Sequence, residues 1–264
     1  MRRTPLPVLF CLAVLTSGCF QFSTVLTVKG DGSGTIDQRL LFTQAAVAQL
    51  RQFGALAGGG QNMEPVSEQQ ARETAATMGP GVTYVSSTPV DTPEGVGRDI
   101  RYAFTDISTV SLEQAPPAPG GLAVGSGAGA GARVSFAFSH QPDGHAVLTV
   151  VVPRMPFAGG SQPAGISAMP PANQIAMLRP MLAGARMSVV IETNGALVRT
   201  SSPYVAGSRV TVLDVSLDAL LNDAALLPQL QAAKSPDEAK ALLANIPGIK
   251  VNLDPELTIE FAPR

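Results

Sequence analysis

The chain has 264 residues, a formal net charge of −2, 45% hydrophobic residues and 14% charged residues. This hydrophobic content excludes global disorder, and 18 Lys and Arg residues against 20 Asp and Glu residues leave no basic excess for binding nucleic acid. A chain of this length folds either as one large domain or as two small ones. Composition therefore indicates a folded protein but no particular biochemical activity.

The first nineteen residues have the pattern of a bacterial lipoprotein signal peptide. A basic start precedes an apolar stretch over residues 6–16, which is shorter than the roughly 20 residues that a membrane-spanning helix needs. The stretch ends in Ser17-Gly18-Cys19, which resembles the lipobox. The resemblance implies that residues 1–18 are removed and that Cys19 carries diacylglycerol and an amide-linked acyl chain such as palmitate. The alternative is an ordinary signal peptide with a chance cysteine near its cleavage site.

Lipidation at Cys19 has consequences for attachment, location and redox chemistry. Two or more acyl chains attach a protein to a membrane persistently. Phe20, rather than Asp, follows the cysteine, and lipoprotein sorting in double-membrane bacteria then predicts the outer membrane, facing the periplasm. The mature chain has 16 basic and 20 acidic residues, so its body is not attracted to anionic lipid. Because Cys11 lies in the signal peptide, no free thiol remains for disulfides or Cys chemistry.

The first half of the mature chain, residues 19–114, shows alternating apolar residues and strong turn signals. A Gly-Asp-Gly-Ser-Gly turn over residues 30–34 separates the first two predicted strands. Thr43 and Ser67 are predicted N-caps, the second within a capping box. The predicted elements are strands at 20–29, 35–42, 82–89 and 96–104 and helices at 44–56 and 67–78.

The second half, residues 133–264, follows a Pro/Gly/Ala-rich stretch at residues 115–132. Such a stretch cannot bury enough side chain to order itself, so we expect a flexible linker or a long loop. Asn194-Gly195 is a predicted tight turn. The predicted elements of this half are strands at 133–139, 146–152, 187–193, 210–217, 249–253 and 257–261 and helices at 171–185, 217–230 and 235–246.

The order of these elements predicts an α+β fold, a mainly antiparallel sheet with helices packed on one face. Both halves contain a hairpin, helical sequence and two further strands, and both hairpins turn on an Asp-Gly pair. Two related hairpin-helix-hairpin halves would explain this order, but α+β chains also reuse such units independently.

The two histidines of the chain, His140 and His145, flank the turn that contains Asp143. These three side chains could meet a metal ion, although their spacing matches no standard zinc arrangement and a closed site needs four ligands. They could also form a hydrolase site of an unfamiliar kind. Exposed turn residues explain the pattern more simply, so the sequence predicts no catalytic residue, no metal site and no cofactor.

Methionine is concentrated in residues 155–187, which hold five of the eight in the chain. Methionine is flexible and polarizable, and it suits adaptable apolar surfaces. One interpretation is a mobile lid or groove that contacts lipid or a partner; the alternative is a helix that packs its apolar face onto the sheet. The candidate hydrophobic contact surface consists of Met155, Phe157, Met169, Met177 and Met181.

The segment Cys19 to Thr35 resembles uncharacterised bacterial envelope lipoproteins, in which the acylated cysteine runs directly into a strand, a D-G-S-G turn and a return strand. The end of the chain, with strands at 249–253 and 257–261, is similar to the end of such proteins. The resemblance implies a periplasm-facing α+β domain without assigned catalytic residues, and a role for some relatives in binding envelope lipids.

The sequence therefore predicts a lipid-anchored envelope protein that is not an enzyme and that has a binding or scaffold role. Its expected partners are the membrane, reached through the lipid on Cys19, and either an envelope lipid or another envelope protein. Two alternatives stay open, a hydrolase with a site near His140, Asp143 and His145, and a purely structural lipoprotein.

Overall fold

Strands dominate the described part of the chain. The computed structural model describes residues 20–44, 46–48, 66–113, 133–152, 184–222, 225–233, 235–244 and 246–264. The strands are β1 Phe20–Val28, β2 Gly34–Phe42, β3 Val82–Thr92, β4 Gly95–Phe104, β5 Ser111–Glu113, β6 Arg133–His140, β7 Ala146–Val151, β8 Arg186–Thr193, β9 Gly195–Thr200, β10 Val205–Ala206, β11 Arg209–Ser216, β12 Ile249–Val251 and β13 Glu256–Pro263. The helices are α1 Glu68–Thr77, α2 Leu217–Asn222, α3 Leu226–Ala232 and α4 Pro236–Leu243, with a 3₁₀ turn at Ile107–Thr109.

The β1–β2 hairpin forms as its sequence predicts. Alternate residues of β1 are buried, and its turn is closed by hydrogen bonds from Lys29 N–H to Ser33 O (2.8 Å) and from Gly32 N–H to Lys29 O (3.0 Å). Gly32 has a φ of +80°, which glycine adopts without steric cost. The Asp31 carboxylate accepts hydrogen bonds from the Ser33 hydroxyl (2.7 Å) and N–H (2.9 Å), which hold the pKa of Asp31 below its ordinary value.

The first sheet has the strand order β10-β11-β8-β1-β2-β4-β3, and β12 also pairs with β11. β1 and β8 run parallel, whereas the other neighbours are antiparallel. Among the described residues, cross-strand ion pairs line its outer face: Arg39–Asp99, Arg101–Asp37, Arg186–Asp214 and Arg209–Glu192. Exposed pairs of this kind contribute about 0–1 kcal/mol each to the stability of the fold. They therefore add little stability, but they show which face of the first sheet is directed toward solvent.

The second sheet has the strand order β5-β6-β7-β13-β9 and packs against the inner face of the first sheet. One hydrophobic cluster joins both sheets and the inner side of α1. Its largest fully buried members include Leu26, Ile36, Tyr102 and Ile191 from the first sheet and Leu148, Leu257, Ile259 and Phe261 from the second. The main core therefore lies between two sheets.

The predicted α+β fold, a mainly antiparallel sheet with helices packed on one face, is wrong, because the described residues are mostly strand and form two sheets. The apolar face of the first sheet is covered chiefly by strands of the second sheet. Alternation in a sequence shows that a strand has one buried face, but it does not say what covers that face. Each sheet also takes strands from both sides of residues 115–132, so the two predicted hairpin-helix-hairpin halves do not form two separate layers. Residues 115–132 themselves lie outside the described residues.

The chain crosses between the sheets at Asn194, where the sequence predicts a tight turn. Thr193 ends β8 in the first sheet, and Gly195 begins β9 in the second. The Asn194 N–H donates to Val28 O (2.8 Å), which fixes the crossing point against the end of β1. A Cβ at Gly195 would lie 2.1 Å from Ala262 O. Glycine is therefore needed here for close strand approach rather than for a turn.

The helix ends follow the predicted capping signals. The Ser67 hydroxyl accepts the Gln70 N–H (3.1 Å), and the Gln70 side chain accepts the Ser67 N–H (2.9 Å), which completes the capping box of α1. The Thr43 hydroxyl accepts the Ala46 N–H (3.3 Å), and the Ser235 hydroxyl accepts the Glu238 N–H (3.2 Å) at the start of α4. The single helix predicted over residues 217–230 is instead divided into α2 and α3.

A second hydrophobic cluster lies at the end of the first sheet where β1 begins. Its buried members are Phe22, Leu40, Phe42, Ala46 and Val47, with Phe20, Val66, Val96 and Met187 packed against them. Phe20, the first residue of β1, pairs with Phe42, the last residue of β2. This pair lies at the opposite end of the nine-residue strand β1 from the turn that joins β1 to β2. The two ends of β1 thus lie in different surroundings, the start in this second cluster and the far end against the second sheet.

Tyr102 places a polar atom inside the main core. Its side chain is fully buried, and its hydroxyl has no hydrogen-bond partner among the described residues. Burial raises the pKa of Tyr102 to about 12, and the neighbouring Tyr84 adds to this rise. The nearby Thr74 hydroxyl acts to lower the pKa of Tyr102, but less strongly than burial raises it. Thr74 donates its own hydrogen bond to Gln70 O (2.8 Å) and not to Tyr102. The Tyr84 hydroxyl, in contrast, is bonded to Ser87 Oγ (2.8 Å).

Candidate functional site

The β6–β7 hairpin turn repeats the geometry of the β1–β2 turn. Gln141 N–H donates to His145 O (2.8 Å), and Gly144 N–H donates to Gln141 O (3.0 Å), with Gly144 at a φ of +87°. Pro142 suits the second position of such a turn, because its ring fixes φ near the required value. Asp143 Oδ1 accepts the His145 N–H (3.0 Å), as Asp31 does from Ser33. The turn therefore holds the carboxylate of Asp143 beside the ring of His145.

A second carboxylate reaches the same imidazole from β13. Glu260 lies between the fully buried Ile259 and Phe261, so its own side chain projects from the outer face of the second sheet. His145 Nδ1 is 3.1 Å from Glu260 Oε1 and 3.2 Å from Asp143 Oδ2. The Glu260 side chain is 13% exposed and that of His145 is 30% exposed, so both side chains are largely shielded from water.

Arg199 completes the cluster from the neighbouring strand. It is paired with Glu260 across β9 and β13, and its guanidinium Nη2 donates to Glu260 Oε2 (2.8 Å). The two oxygens of Glu260 therefore have different partners, Oε2 the guanidinium and Oε1 the imidazole. We call Asp143, His145 and Glu260, together with Arg199, the outer-face cluster.

The outer-face cluster offers three metal-ligating side chains at one point. The ligand atoms of Asp143, His145 and Glu260 all lie within 4.8 Å of one another. Without an ion, the same atoms form hydrogen bonds and ion pairs that join the hairpin turn to β13 and β9. The arrangement can thus act as a surface polar network or as a site for one cation.

His140, the other residue of the predicted hydrolase alternative, lies apart from this cluster. Its ring contacts the Phe138 ring edge-to-face, with centroids 5.2 Å apart, and its Nε2 is 2.7 Å from Gly30 O. Asp143 and His145 are brought together, but His140 instead joins the β6–β7 hairpin to the β1–β2 turn. The structure therefore does not bring together the three side chains that the hydrolase alternative requires.

Sequence reasoning missed Glu260 and Arg199. Glu260 is 115 residues from His145, and Arg199 is 61 residues from Glu260, so no local spacing connects them. The available signal is the alternation of β13, in which Glu260 stands between apolar residues and must project from the opposite face of its strand. That signal gives the direction of the side chain but not its partner.

The other predicted site residues lie outside the described part of the chain. Cys19 directly precedes the first described residue, and the candidate contact surface of Met155, Phe157, Met169, Met177 and Met181 falls within residues 153–183. Both predictions therefore stay predictions. Among the described residues, none of the helices has the length and apolar character that crossing a membrane requires.

The described residues define a two-sheet β protein with a polar cluster on the outer face of one sheet. No sequence model of a protein family matches the chain, and no curated protein matches it. Among solved structures, the chain is similar to the folded domain of the LppM protein of Mycobacterium tuberculosis, determined by NMR. The TM-score is 0.35 at 8% sequence identity, over 94% of this chain and 91% of that chain. This likeness is too distant to assign the chain to a family.

Proposed function

We propose that this chain is a lipid-anchored protein of the bacterial envelope, with a noncatalytic binding or scaffold role. The observation that carries the proposal is the junction between the lipobox and the fold: Cys19 is followed at once by Phe20, the first residue of β1. The lipid on Cys19 would thus be attached to a central strand of the first sheet without a flexible spacer. The body is then held close to the bilayer surface in a restricted orientation.

The restricted orientation gives the two ends of the first sheet different roles. β1 has nine residues, so its far end lies about 30 Å from the anchored end. The second hydrophobic cluster is at the anchored end. The β1–β2 turn, the β6–β7 turn and the outer-face cluster are at the far end or on the second sheet. These parts would face away from the lipid and be accessible to another envelope component.

Anchoring is tested with the two cysteines of the chain, which supply their own matched control. The Cys19→Ser variant should lose metabolic labelling with a fatty-acid analogue, retain residues 1–18 and no longer fractionate with membranes as a mature protein. The Cys11→Ser variant should retain label, processing and membrane fractionation, because Cys11 is removed with the signal peptide. Normal maturation and membrane fractionation of Cys19→Ser would contradict the anchor.

The predicted outer-membrane location is tested separately. Density-gradient separation of the two membranes should place the mature protein in the outer-membrane fraction, with the body protected from protease added outside intact cells. Replacing the residue after the cysteine, Phe20→Asp, should move the protein to the inner-membrane fraction. Retention of the wild-type protein in the inner membrane would contradict this location but not lipid anchoring.

The binding role is tested on the mature lipoprotein released from membranes in detergent. Native mass spectrometry should detect an intact envelope lipid or an envelope protein bound noncovalently and in fixed stoichiometry. The purely structural alternative predicts no such companion at any dilution. Conversion of an added lipid into smaller products, rather than its retention, would instead favour the hydrolase alternative and would contradict a noncatalytic role.

We include in this proposal the candidate contact surface of Met155, Phe157, Met169, Met177 and Met181. If this surface contacts lipid or a partner, its methionines should be oxidised by mild peroxide in the folded, detergent-released protein. Met78 is an internal control, because it is only 5% exposed within the main core and should react only on unfolding. Oxidation of Met155, Met169, Met177 and Met181 no faster than Met78 would contradict the contact surface.

A further inference from the structure

We propose that Asp143, His145 and Glu260 form a binding site for one divalent transition-metal ion. The site would lie on the outer face of the second sheet, where the β6–β7 turn meets β13. Nothing in this inference depends on the lipid anchor or on the binding role proposed above.

The spacing of the three side chains is close to what a tetrahedral ion requires. Zn²⁺ binds imidazole nitrogen and carboxylate oxygen at about 2.0–2.2 Å, which places neighbouring ligand atoms about 3.3 Å apart. His145 Nδ1 is 3.1 Å from Glu260 Oε1 and 3.2 Å from Asp143 Oδ2. All three ligand atoms fall within 4.8 Å of one another. Small side-chain rotations would therefore be enough to surround an ion.

Hydrogen-bond chemistry also favours a cation at this point. His145 Nδ1 carries at most one hydrogen, yet two carboxylate oxygens face it. One N–H cannot form two well-aligned hydrogen bonds at once, so one carboxylate is left with a weak interaction. A cation in the centre would interact with all three atoms together and would replace the Nδ1 proton.

Each carboxylate is held by its other oxygen, so that one oxygen stays directed at the imidazole. Asp143 Oδ1 accepts the His145 N–H (3.0 Å), and Glu260 Oε2 accepts from Arg199 (2.8 Å). Partners of this kind, outside the ligands themselves, orient metal ligands in proteins. The Arg199 side chain is 80% exposed, so solvent screens its repulsion of a bound cation.

The ligand set determines which ions fit. An imidazole suits Zn²⁺, Ni²⁺, Cu²⁺ and Fe²⁺, whereas Mg²⁺ and Ca²⁺ prefer oxygen ligands alone. Three protein ligands leave one position of a tetrahedral ion for water. The site is thus expected to bind a first-row transition metal in preference to Mg²⁺ or Ca²⁺.

The test uses the mature lipoprotein in detergent, prepared without a histidine tag and labelled with ¹⁵N. Because His140 and His145 are the two histidines of the chain, each imidazole can be followed separately by NMR during Zn²⁺ titration. The signals of His145 should change with a 1:1 endpoint, while those of His140 stay in place. Millimolar Mg²⁺ or Ca²⁺ should not displace the Zn²⁺. Equal changes at both rings, or no saturable change at His145, would overturn the proposal.

Variants give a second, independent readout by calorimetric titration with Zn²⁺. His145→Gln and Glu260→Gln should each weaken binding by at least about 10- to 100-fold, because each removes a ligand of the ion and the loss of an outer partner of a ligand already costs this much. His140→Gln is the matched control and should leave the affinity unchanged. Binding that survives in His145→Gln, or that is lost in His140→Gln, would overturn the site. The NMR titration of the wild-type protein needs no variant, so a folding defect in a variant does not prevent a decision.

Discussion

The imidazole of His140 donates a hydrogen bond from Nε2 to the carbonyl oxygen of Gly30, with a donor–acceptor distance of 2.7 Å. The two residues are 110 positions apart in the sequence. Since a carbonyl only accepts, this contact assigns a proton to Nε2. The same region brings Phe138 against Gly32, whose added Cβ would lie 3.0 Å from the Phe138 ring. The β1–β2 turn of the first sheet is therefore docked on β6 of the second sheet by a polar and an apolar contact.

Removing the His140 ring should weaken this docking. We expect His140→Ala to lower the free energy of unfolding by about 1 kcal/mol, because an exposed hydrogen bond and an edge-to-face ring contact are both lost. The neighbouring variant Ser139→Ala, which changes an exposed side chain, should stay within about 0.5 kcal/mol of wild type. Denaturant unfolding measures the free energy of unfolding of both variants. Equal stability of His140→Ala and Ser139→Ala would show that the contact does not hold the sheets together.

The two Asp-Gly turns allow the apolar contact to be isolated. Gly32 and Gly144 have similar positive φ angles, +80° and +87°, but only Gly32 has a neighbour within 4 Å of an added Cβ. Both alanine variants should cost about 1–2 kcal/mol for the left-handed backbone. Gly32→Ala should cost about 1 kcal/mol more, the low end of the cost of overpacking, because the added Cβ would lie 3.0 Å from the Phe138 ring and the ring must shift to admit it.

Chemical denaturation of the two variants, each in the wild-type and in a Phe138→Leu background, measures the difference. The extra cost at Gly32 should shrink in the Phe138→Leu background, while the cost at Gly144 should stay the same. If the two alanine variants are equally unstable in the wild-type background, the ring does not press on the turn.

The hydrogen-bonded Asp31 should make the free energy of unfolding depend on pH in the acidic range. Its pKa is lowered by the hydrogen bonds from Ser33, so near and below pH 3.8 the folded state binds fewer protons than the unfolded state. The contribution of Asp31 to stability is therefore present above that pH and is lost as the pH falls through its native pKa. An NMR titration should give a native pKa below 3.8 in the wild type. Ser33→Ala should raise it, because the largest cause of the shift is the Ser33 hydroxyl; an unchanged pKa would contradict this assignment.

Local features of the fold were predictable from the sequence, whereas the arrangement of sheets was not. The Gly-rich turn, the capping box at Ser67 and the alternation of β1 depend on neighbours within a few residues, and the structure has all three. Asn194-Gly195 was misinterpreted because the same residues suit a tight turn and a crossing between sheets. The parallel pairing of β1 with β8 joins segments more than 150 residues apart, which local propensity cannot specify.

Only part of the outer-face cluster was predictable from the sequence, because some of its contacts are local and others depend on how the strands pair. Asp143 and His145 belong to one turn, so their proximity follows from the sequence. Glu260 and Arg199 reach them through the pairing of β13 with β7 and β9, which depends on how the second sheet assembles. The partner of His140 depends on how the two sheets pack together, because the β1–β2 turn of the first sheet supplies the Gly30 carbonyl that His140 contacts.

The buried Tyr102 predicts a substitution that stabilises the protein. Its hydroxyl is desolvated without a hydrogen-bond partner among the described residues, and such a group costs about 1–3 kcal/mol. Tyr102→Phe removes the hydroxyl and keeps the ring, so we expect the free energy of unfolding to rise by about 1 kcal/mol at pH 7. Tyr84→Phe is the matched control and should lower it by about 1 kcal/mol, because the hydrogen bond to Ser87 is lost.

The pH dependence of the same variant tests the cause of this effect. The pKa of Tyr102 is raised to about 12 in the folded state, against 10.0 for an ordinary tyrosine. Between these values the unfolded state loses a proton that the folded state keeps, so the wild-type protein loses stability as the pH rises from 10 to 12. Tyr102→Phe has no such proton, so its advantage over wild type should grow across this range. Denaturant unfolding at several alkaline pH values measures the difference, and a constant difference would mean that the hydroxyl reaches water or a partner in the folded state.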